Sequence, residues 1–289
     1  MDTNELLQKV RRVEIKTRAL TNNIFAGEYH SAFKGRGMSF AEVREYQVGD
    51  DVRDIDWNVT ARLNRAHIKV YEEERELTVI LLVDVSASQQ FGTRERSMHD
   101  LATEIAATIA FSAIQNNDKI GVIFFSDKIE KYIPPQKGRK HILYIIRELL
   151  NLTPTSRRTN IGVPLEYLLH LQRHRCIVFL MSDFVSRENF SGPLQIAGRK
   201  HDLVAVQLYD RRMADLPNVG LMKYMDAETG HEQYVDTSSR RVREFHRSNW
   251  QTRQQHLNDL FRRNGVDSVS IATDEDYVRS LMNLFAKRK

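Results

Sequence analysis

A single cysteine, Cys176, leaves the 289-residue chain without a partner for an internal disulfide, which fits a reducing compartment. No stretch approaches the roughly 20 consecutive apolar residues that a membrane span requires. The first residues lack the apolar core of a secretory signal, so the expectation is a soluble, cytoplasmic protein. Charge of one sign is not in large excess: 43 Lys and Arg face 38 Asp and Glu, for a net +5. That mixture excludes the polybasic signature of a nucleic-acid binder and leaves a mildly basic surface. Neither G-x-x-x-x-G-K-[ST] nor G-x-G-x-x-G occurs, which removes the usual phosphate-cradling loops. Internal repeats and low-complexity linkers are absent too. What remains, at 41% hydrophobic residues, is enough to bury a sizeable core.

The stretch Thr78–Ser88, TVILLVDVSAS, organises the rest. Its β-branched apolar run Val79–Val83 reads as a strand buried on both faces of a parallel sheet. It stops at Asp84 and places hydroxyls at Ser86 and Ser88. Oxygen donors without Cys or His suit Mg2+ or Mn2+ rather than zinc. Taken alone, the same serines serve equally well as helix caps.

Downstream, buried strands alternate with amphipathic helices. Strands are expected at Lys119–Ser126, Arg175–Ser182, Asp202–Tyr209 and Val266–Ala272. Helices are expected at Glu95–Gln115, Arg139–Leu152, Asn160–Arg173, Gly192–Lys200 and Ser238–Asn264. A final helix, Asp274–Ala286, is expected to be capped by Thr273. Lys128–Ile133 should pair antiparallel at the sheet edge, closed by Pro134 and Pro135, and Leu221–Ala227 with His231–Thr237 should form a ribbon. The expected fold is α/β, with a doubly wound, mostly parallel central sheet over residues 77–289 and an antiparallel edge strand. Residues 1–76 form an N-terminal extension: a basic amphipathic helix near Asn4–Leu20, then β-rich segments at Ser39–Tyr46 and Ala66–Glu72. Between these segments, Asp50, Asp51, Asp54 and Asp56 could gather a cation, or an Arg–Asp network with Trp57 as hydrophobic anchor could pin the segment to the sheet.

In doubly wound sheets, ligands sit at the carboxyl ends of the strands. Asp84 and Asp183 both occupy such ends, and Thr159 lies in a polar loop before a helix, where it or Asn160 could serve as N-cap. The set of Asp84, Ser86, Ser88, Thr159 and Asp183 resembles the metal-ion-dependent adhesion site of von Willebrand factor A domains. The resemblance implies direct metal contact by Ser86, Ser88 and Thr159, and contact through water by Asp84 and Asp183. Gln89 stands where such sites often carry Met. Upstream, Gly35-Arg36-Gly37, Phe40, Arg44, Tyr46, Gly49-Asp50, Arg53, Ile55-Asp56-Trp57 and Ala61-Arg62 resemble the signature of the domain of unknown function 58 family. Its members carry a von Willebrand A-like core and are often linked to MoxR-type AAA+ ATPases.

The function this implies is a non-enzymatic interaction module. It would bind Mg2+ or Mn2+ and take an Asp or Glu from a protein partner, a MoxR-type AAA+ ATPase or its client. The alternative is a Mg2+-dependent phosphoryl-transfer or hydrolytic enzyme. Against it, no Lys or Arg closely follows Asp84, and Ser86 occupies the place where a second acid would be needed. Zinc on His170, His174 and Cys176 is disfavoured because Cys176 opens a buried strand. Nucleic-acid binding by the basic segment Arg240–Arg263 is disfavoured because few aromatics interleave it.

Overall fold

The structure is a computed structural model describing residues 38–73, 77–92, 96–225 and 229–288, together with Arg11, Val13, Gly27, Tyr29, Ala32 and Phe33. The expected N-terminal helix falls outside the described residues except for Arg11 and Val13, both helical.

Six strands form the central sheet: β3 (Thr78–Asp84), β4 (Lys119–Phe125), β5 (Ile129–Gln136), β6 (Ile177–Ser182), β7 (Asp202–Tyr209) and β10 (Asp267–Ala272). Their order is β10-β7-β6-β3-β4-β5, parallel throughout except for β5, which pairs antiparallel with β4. The apolar run of β3 alternates between two cores. Val79, Leu81 and Val83 face one, with helices α2 (Met98–Gln115), α3 (Arg139–Asn151) and α8 (Tyr277–Ala286). Ile80 and Leu82 face the other, with α4 (Gly162–Leu171), α5 (Ser191–Lys200) and the end of α7 (Arg240–Arg263). A strand covered by helices on both sides has no polar face, which is why its sequence is apolar without alternation.

From β3 the chain moves to β4 and β5 on one side, then returns to β6 on the other. Strand order therefore reverses between β3 and β6, and a crevice opens at their carboxyl ends. Register sharpens the point: Val83 pairs with Met181, so Asp84 comes beside Ser182 and one step from Asp183.

Smaller elements complete the chain. Strands β1 (Met38–Glu45) and β2 (His67–Glu73) form a separate antiparallel pair joined through α1 (Trp57–Leu63). After β7 come the short α6 (Arg211–Ala214) and a ribbon of β8 (Leu221–Met225) and β9 (Glu232–Asp236).

Three local expectations need correction. Strand β5 runs through Pro134 and Pro135 to Gln136 rather than stopping before them; the β4–β5 pairing bulges there, so that the two prolines sit opposite Gly121, and a bulge on an edge strand tolerates missing N–H donors. Thr273 does not cap the last helix. Its hydroxyl donates to Asp210 Oδ2 at 3.0 Å, and Asp276 accepts from Val278 N to cap a helix that starts at Tyr277. Trp57 anchors nothing: it is 70% exposed. Three of the four acids around it have partners close by, Asp56 also lying 3.6 Å from Lys69 of β2. Asp50 takes both forks of Arg44 at 2.7 and 2.8 Å, Asp51 accepts from Arg53 N, and Asp56 caps α1.

Candidate functional site

β3 delivers Asp84 at its last residue, fully buried. Both carboxylate oxygens are engaged from within the chain. Oδ1 accepts from Ser86 N at 2.9 Å, and Oδ2 accepts from the Ser182 hydroxyl at 2.6 Å. Burial, with the neighbouring Asp183 charge adding to it, pushes Asp84 up to about 7.

Asp183 follows β6, and its Oδ1 accepts from Val185 N at 3.0 Å. The turn behind it is sharp. Phe184 has φ of +57°, a left-handed conformation that costs a non-glycine residue about 1 kcal/mol. Its ring packs on Phe261 at 5.0 Å between centroids and on Phe190 at 6.3 Å, and those contacts hold the turn.

Ser86 and Ser88 form the turn after β3, with their hydroxyl oxygens 3.1 Å apart. Ser86 makes no capping bond to the 3-10 turn that follows. The next helix, α2, is capped by Ser97 and Asp100 instead. The ordinary reason for serines after a strand is thus met by other residues.

The same separation of roles holds at Thr159. Asn160 Oδ1 accepts from Gly162 N at the start of α4. The Thr159 hydroxyl is buried and has no hydrogen-bond partner among the described residues. A buried hydroxyl left unpaired costs roughly 1–3 kcal/mol.

Three loops converge to bring these groups together. Ala87 N donates to Arg157 O at 3.2 Å, tying the serine turn to the threonine loop. Ser186 Oγ donates to Thr159 O at 3.4 Å, tying that loop to the turn after β6. Asn160 N donates to Ser126 O at the end of β4. All five residues singled out in the sequence therefore lie around the crevice at the ends of β3 and β6.

Three further residues take part in the site in roles that the sequence reading did not assign. Ser182 orients Asp84, as parallel registration of two acid-terminated strands could have shown. Gln89 is buried, with Nε2 3.5 Å from Asp84 Oδ2. Glu130, on β5, pins the threonine loop. It accepts from the Ser126 and Thr155 hydroxyls at 2.7 Å each and from Thr155 N and Ser156 N at 3.1 Å each. Burial works against its ionisation, but those donors outweigh burial and hold its carboxyl below its ordinary value. A lowered carboxylate stabilises the fold above its ordinary range, and the contribution fades as pH falls through the folded value. Glu130→Gln is therefore expected to cost about 1 kcal/mol at neutral pH, with the gap from wild type closing at an acid pH where Glu130 is protonated. Thermal melts at the two pH values check this.

No group of three or more His, Cys, Asp and Glu side chains that could hold a metal forms among the described residues. Cys176 faces His201, Sγ to Nδ1 3.3 Å. Burial pushes the thiol up to about 12 and the imidazole down to about 4, a neutral pair. His170 Nδ1 is bonded to Glu166 O.

Among proteins of similar sequence, the uncharacterized protein Rv1480 of Mycobacterium tuberculosis is 29% identical over all of this chain and 92% of its own. BatB of Bacteroides thetaiotaomicron shares the fold at a TM-score of 0.50 and 13% identity, covering 73% of this chain and 98% of its own. An aerotolerance-related membrane protein of Bacteroides fragilis does so at 0.51, again at 13% identity and with the same coverage. In this chain, no helix among the described residues is long and apolar enough to cross a membrane. Residues 42–256, from within β1 to the last third of α7, match the family described as "Protein of unknown function DUF58", and the chain belongs to that family.

Proposed function

We propose that this chain is a non-enzymatic protein-interaction module. Asp84, Ser86, Ser88, Thr159 and Asp183 would hold Mg2+ or Mn2+, and a partner would dock by adding a carboxylate. The observation that carries the reading is the Thr159 hydroxyl, buried and unpartnered among residues that already satisfy their own caps. A hard cation gives that oxygen a role.

The donor set fits such an ion. Two neighbouring ligands of an octahedral Mg2+, each about 2.1 Å from the metal, lie about 3.0 Å apart, and the Ser86 and Ser88 oxygens are 3.1 Å apart. The two strand-end carboxylates match the ion's charge. Because Asp84 is held on both oxygens, it acts from the second sphere, through water. Neutral hydroxyl ligands leave a bound cation electrophilic toward an incoming carboxylate. The same engagement of Asp84 speaks against its use as a nucleophile. The family resemblance adds a candidate partner, a MoxR-type AAA+ ATPase or its client.

Titration calorimetry with Mg2+ and Mn2+ tests the site. Wild type is expected to bind, and Ser86→Ala/Ser88→Ala to bind at least about 100-fold more weakly, as removal of two direct ligands implies. Equal binding by the two proteins would overturn the assignment.

A further inference from the structure

Beyond the strand-end crevice, a group of exposed apolar residues rises from the same end of the sheet. Leu221 is 70% exposed, Tyr234 69% and Phe245 68%. In the β8–β9 register, Lys223 lies opposite Tyr234 and Met225 opposite Glu232. Side chains alternate along a strand, so Leu221, Met225 and Tyr234 share one face of the ribbon. That face is open, with the Lys223–Glu232 ion pair across it at 2.7 Å.

The ribbon is fastened to α7. Thr237 closes its base by donating to Gly220 O at 2.7 Å through its hydroxyl and 2.8 Å through its N–H. Arg243, in the first turn of α7, donates to the Thr237 and Ser238 carbonyls. Trp250 packs on Tyr209, the last residue of β7, at 5.5 Å between ring centroids. The ten residues of α7 before Trp250 span about 15 Å. They therefore rise beyond the carboxyl end of the sheet, where Asp84 and Asp183 also lie.

Charge says what would cover this projection. The ten residues of α7 before Trp250 carry four arginines against one acid. Three of these arginines are spoken for: Arg240 pairs with Glu244, Arg247 with Asp215, and Arg243 is held by the Thr237 and Ser238 carbonyls. Arg241 is exposed and shares a helix face with exposed Phe245 one turn on. Arginine beside exposed Tyr, Met and Phe is the composition of a protein-interface core. A nucleic-acid surface would keep its guanidinium forks for phosphates and would have no use for an aliphatic ribbon face.

We infer that the ribbon face of Leu221, Met225 and Tyr234, with the arginine-bearing outer face of α7, is a docking surface for an acidic protein segment with apolar anchors. It would be the second contact of the partner whose carboxylate reaches the strand-end site, and to that extent it rests on the function proposed above.

The test uses the full chain and a short fluorescein-labelled peptide alternating Glu with Leu, followed by anisotropy below the peptide's self-association concentration. Controls are the same peptide with Lys for Glu, and a single-stranded oligonucleotide. The Glu–Leu peptide is expected to bind in EDTA. Leu221→Ser/Tyr234→Ser and Arg241→Glu/Phe245→Ser, all at exposed positions and so expected to leave the melting temperature unchanged, should each weaken it about tenfold or more. No binding of the Glu–Leu peptide, equal binding of the Lys peptide, tighter binding of the oligonucleotide, or full binding by both variants would each overturn the inference. Failure of the metal site reads out separately. It would remove any Mg2+-dependent gain, which Ser86→Ala/Ser88→Ala also removes, while leaving the EDTA-resistant binding intact.

Discussion

Asp84→Asn is expected to make the metal-free protein more stable and, in the same step, to abolish its stabilisation by Mg2+. In wild type the carboxylate is fully buried beside a second acid, and burial pushes it up to about 7. Keeping it ionised in slightly alkaline buffer without a cation therefore works against folding, by about 1.4 kcal/mol for each unit of elevation. The amide has no charge to desolvate. Its oxygen can still accept from Ser86 N, and the Ser182 hydroxyl can turn to accept from its NH2 group. Offset against an imperfect fit, a gain of roughly 2 kcal/mol is reasonable, or about 4–8 °C in melting temperature. Wild type should then overtake the variant as Mg2+ is added, because binding to the folded state stabilises in proportion to the logarithm of its saturation. Scanning calorimetry across a Mg2+ series reads both effects. If the variant is less stable in EDTA, or if it gains as much from Mg2+ as wild type, the carboxylate is not part of a cation site.

The second large effect is expected at the opposite end of the sheet. Arg288→Ala should destabilise the fold by about 3–5 kcal/mol, the usual result of removing one partner of a buried ion pair. Arg288 is buried. It pairs with Asp202 at the start of β7 and with Asp267 at the start of β10, 3.2 Å away, and lies 4.4 Å over the Phe33 ring. Phe33 in turn packs edge-on against Phe179 and Phe285. One guanidinium thus ties the last residues of the chain, two strand starts and a residue of the N-terminal extension together. Loss of it leaves the Asp202 carboxylate in a site with little water. The double variant Arg288→Met/Asp202→Asn should recover much of the loss, since it removes the charge as well as its partner. Denaturant melts of the three proteins decide it. A loss under about 1 kcal/mol for Arg288→Ala would place the pair among those worth little, as at an open surface.

The two ends of the sheet were not equally readable. The strand-end acids could be seen because a buried parallel strand is an unbroken apolar run, and the first polar residue after it marks the carboxyl rim. Asp84 and Asp183 announce themselves in that way, and most strand and helix positions followed from the same periodicity. Arg288 could not be seen: a basic residue near the end of a chain normally lies in water, and only the shared location of two strand starts gives it a buried role. Ser182 was hidden because it belongs to an apolar run and matters through register, which is a property of two strands and not of one. Trp57 misled in the opposite direction. A lone tryptophan among charges suggests an anchor, yet Arg44 and Asp50 hold that segment through their own bidentate pair and leave the indole outside. Thr273 misled because capping preference does not see a buried acid: Asp210 takes the hydroxyl that would otherwise have capped the helix.

The two prolines on β5 bear on how the molecule avoids its own kind. An edge strand with free N–H and C=O groups is a template on which another chain can polymerise, and a sheet with an apolar centre like this one is the sort that aggregates when its rim is open. Pro134 and Pro135 remove two donors where the pairing of β5 with β4 bulges, and Lys131 on the same strand holds a charge, paired with Glu148 at 2.7 Å. Strand addition along β5 is thereby discouraged, both for a misfolded copy and for any partner that would recruit by extending the sheet. On that side of the molecule, association is left to the ends and helical faces, where it can be made conditional on chemistry rather than on backbone stickiness.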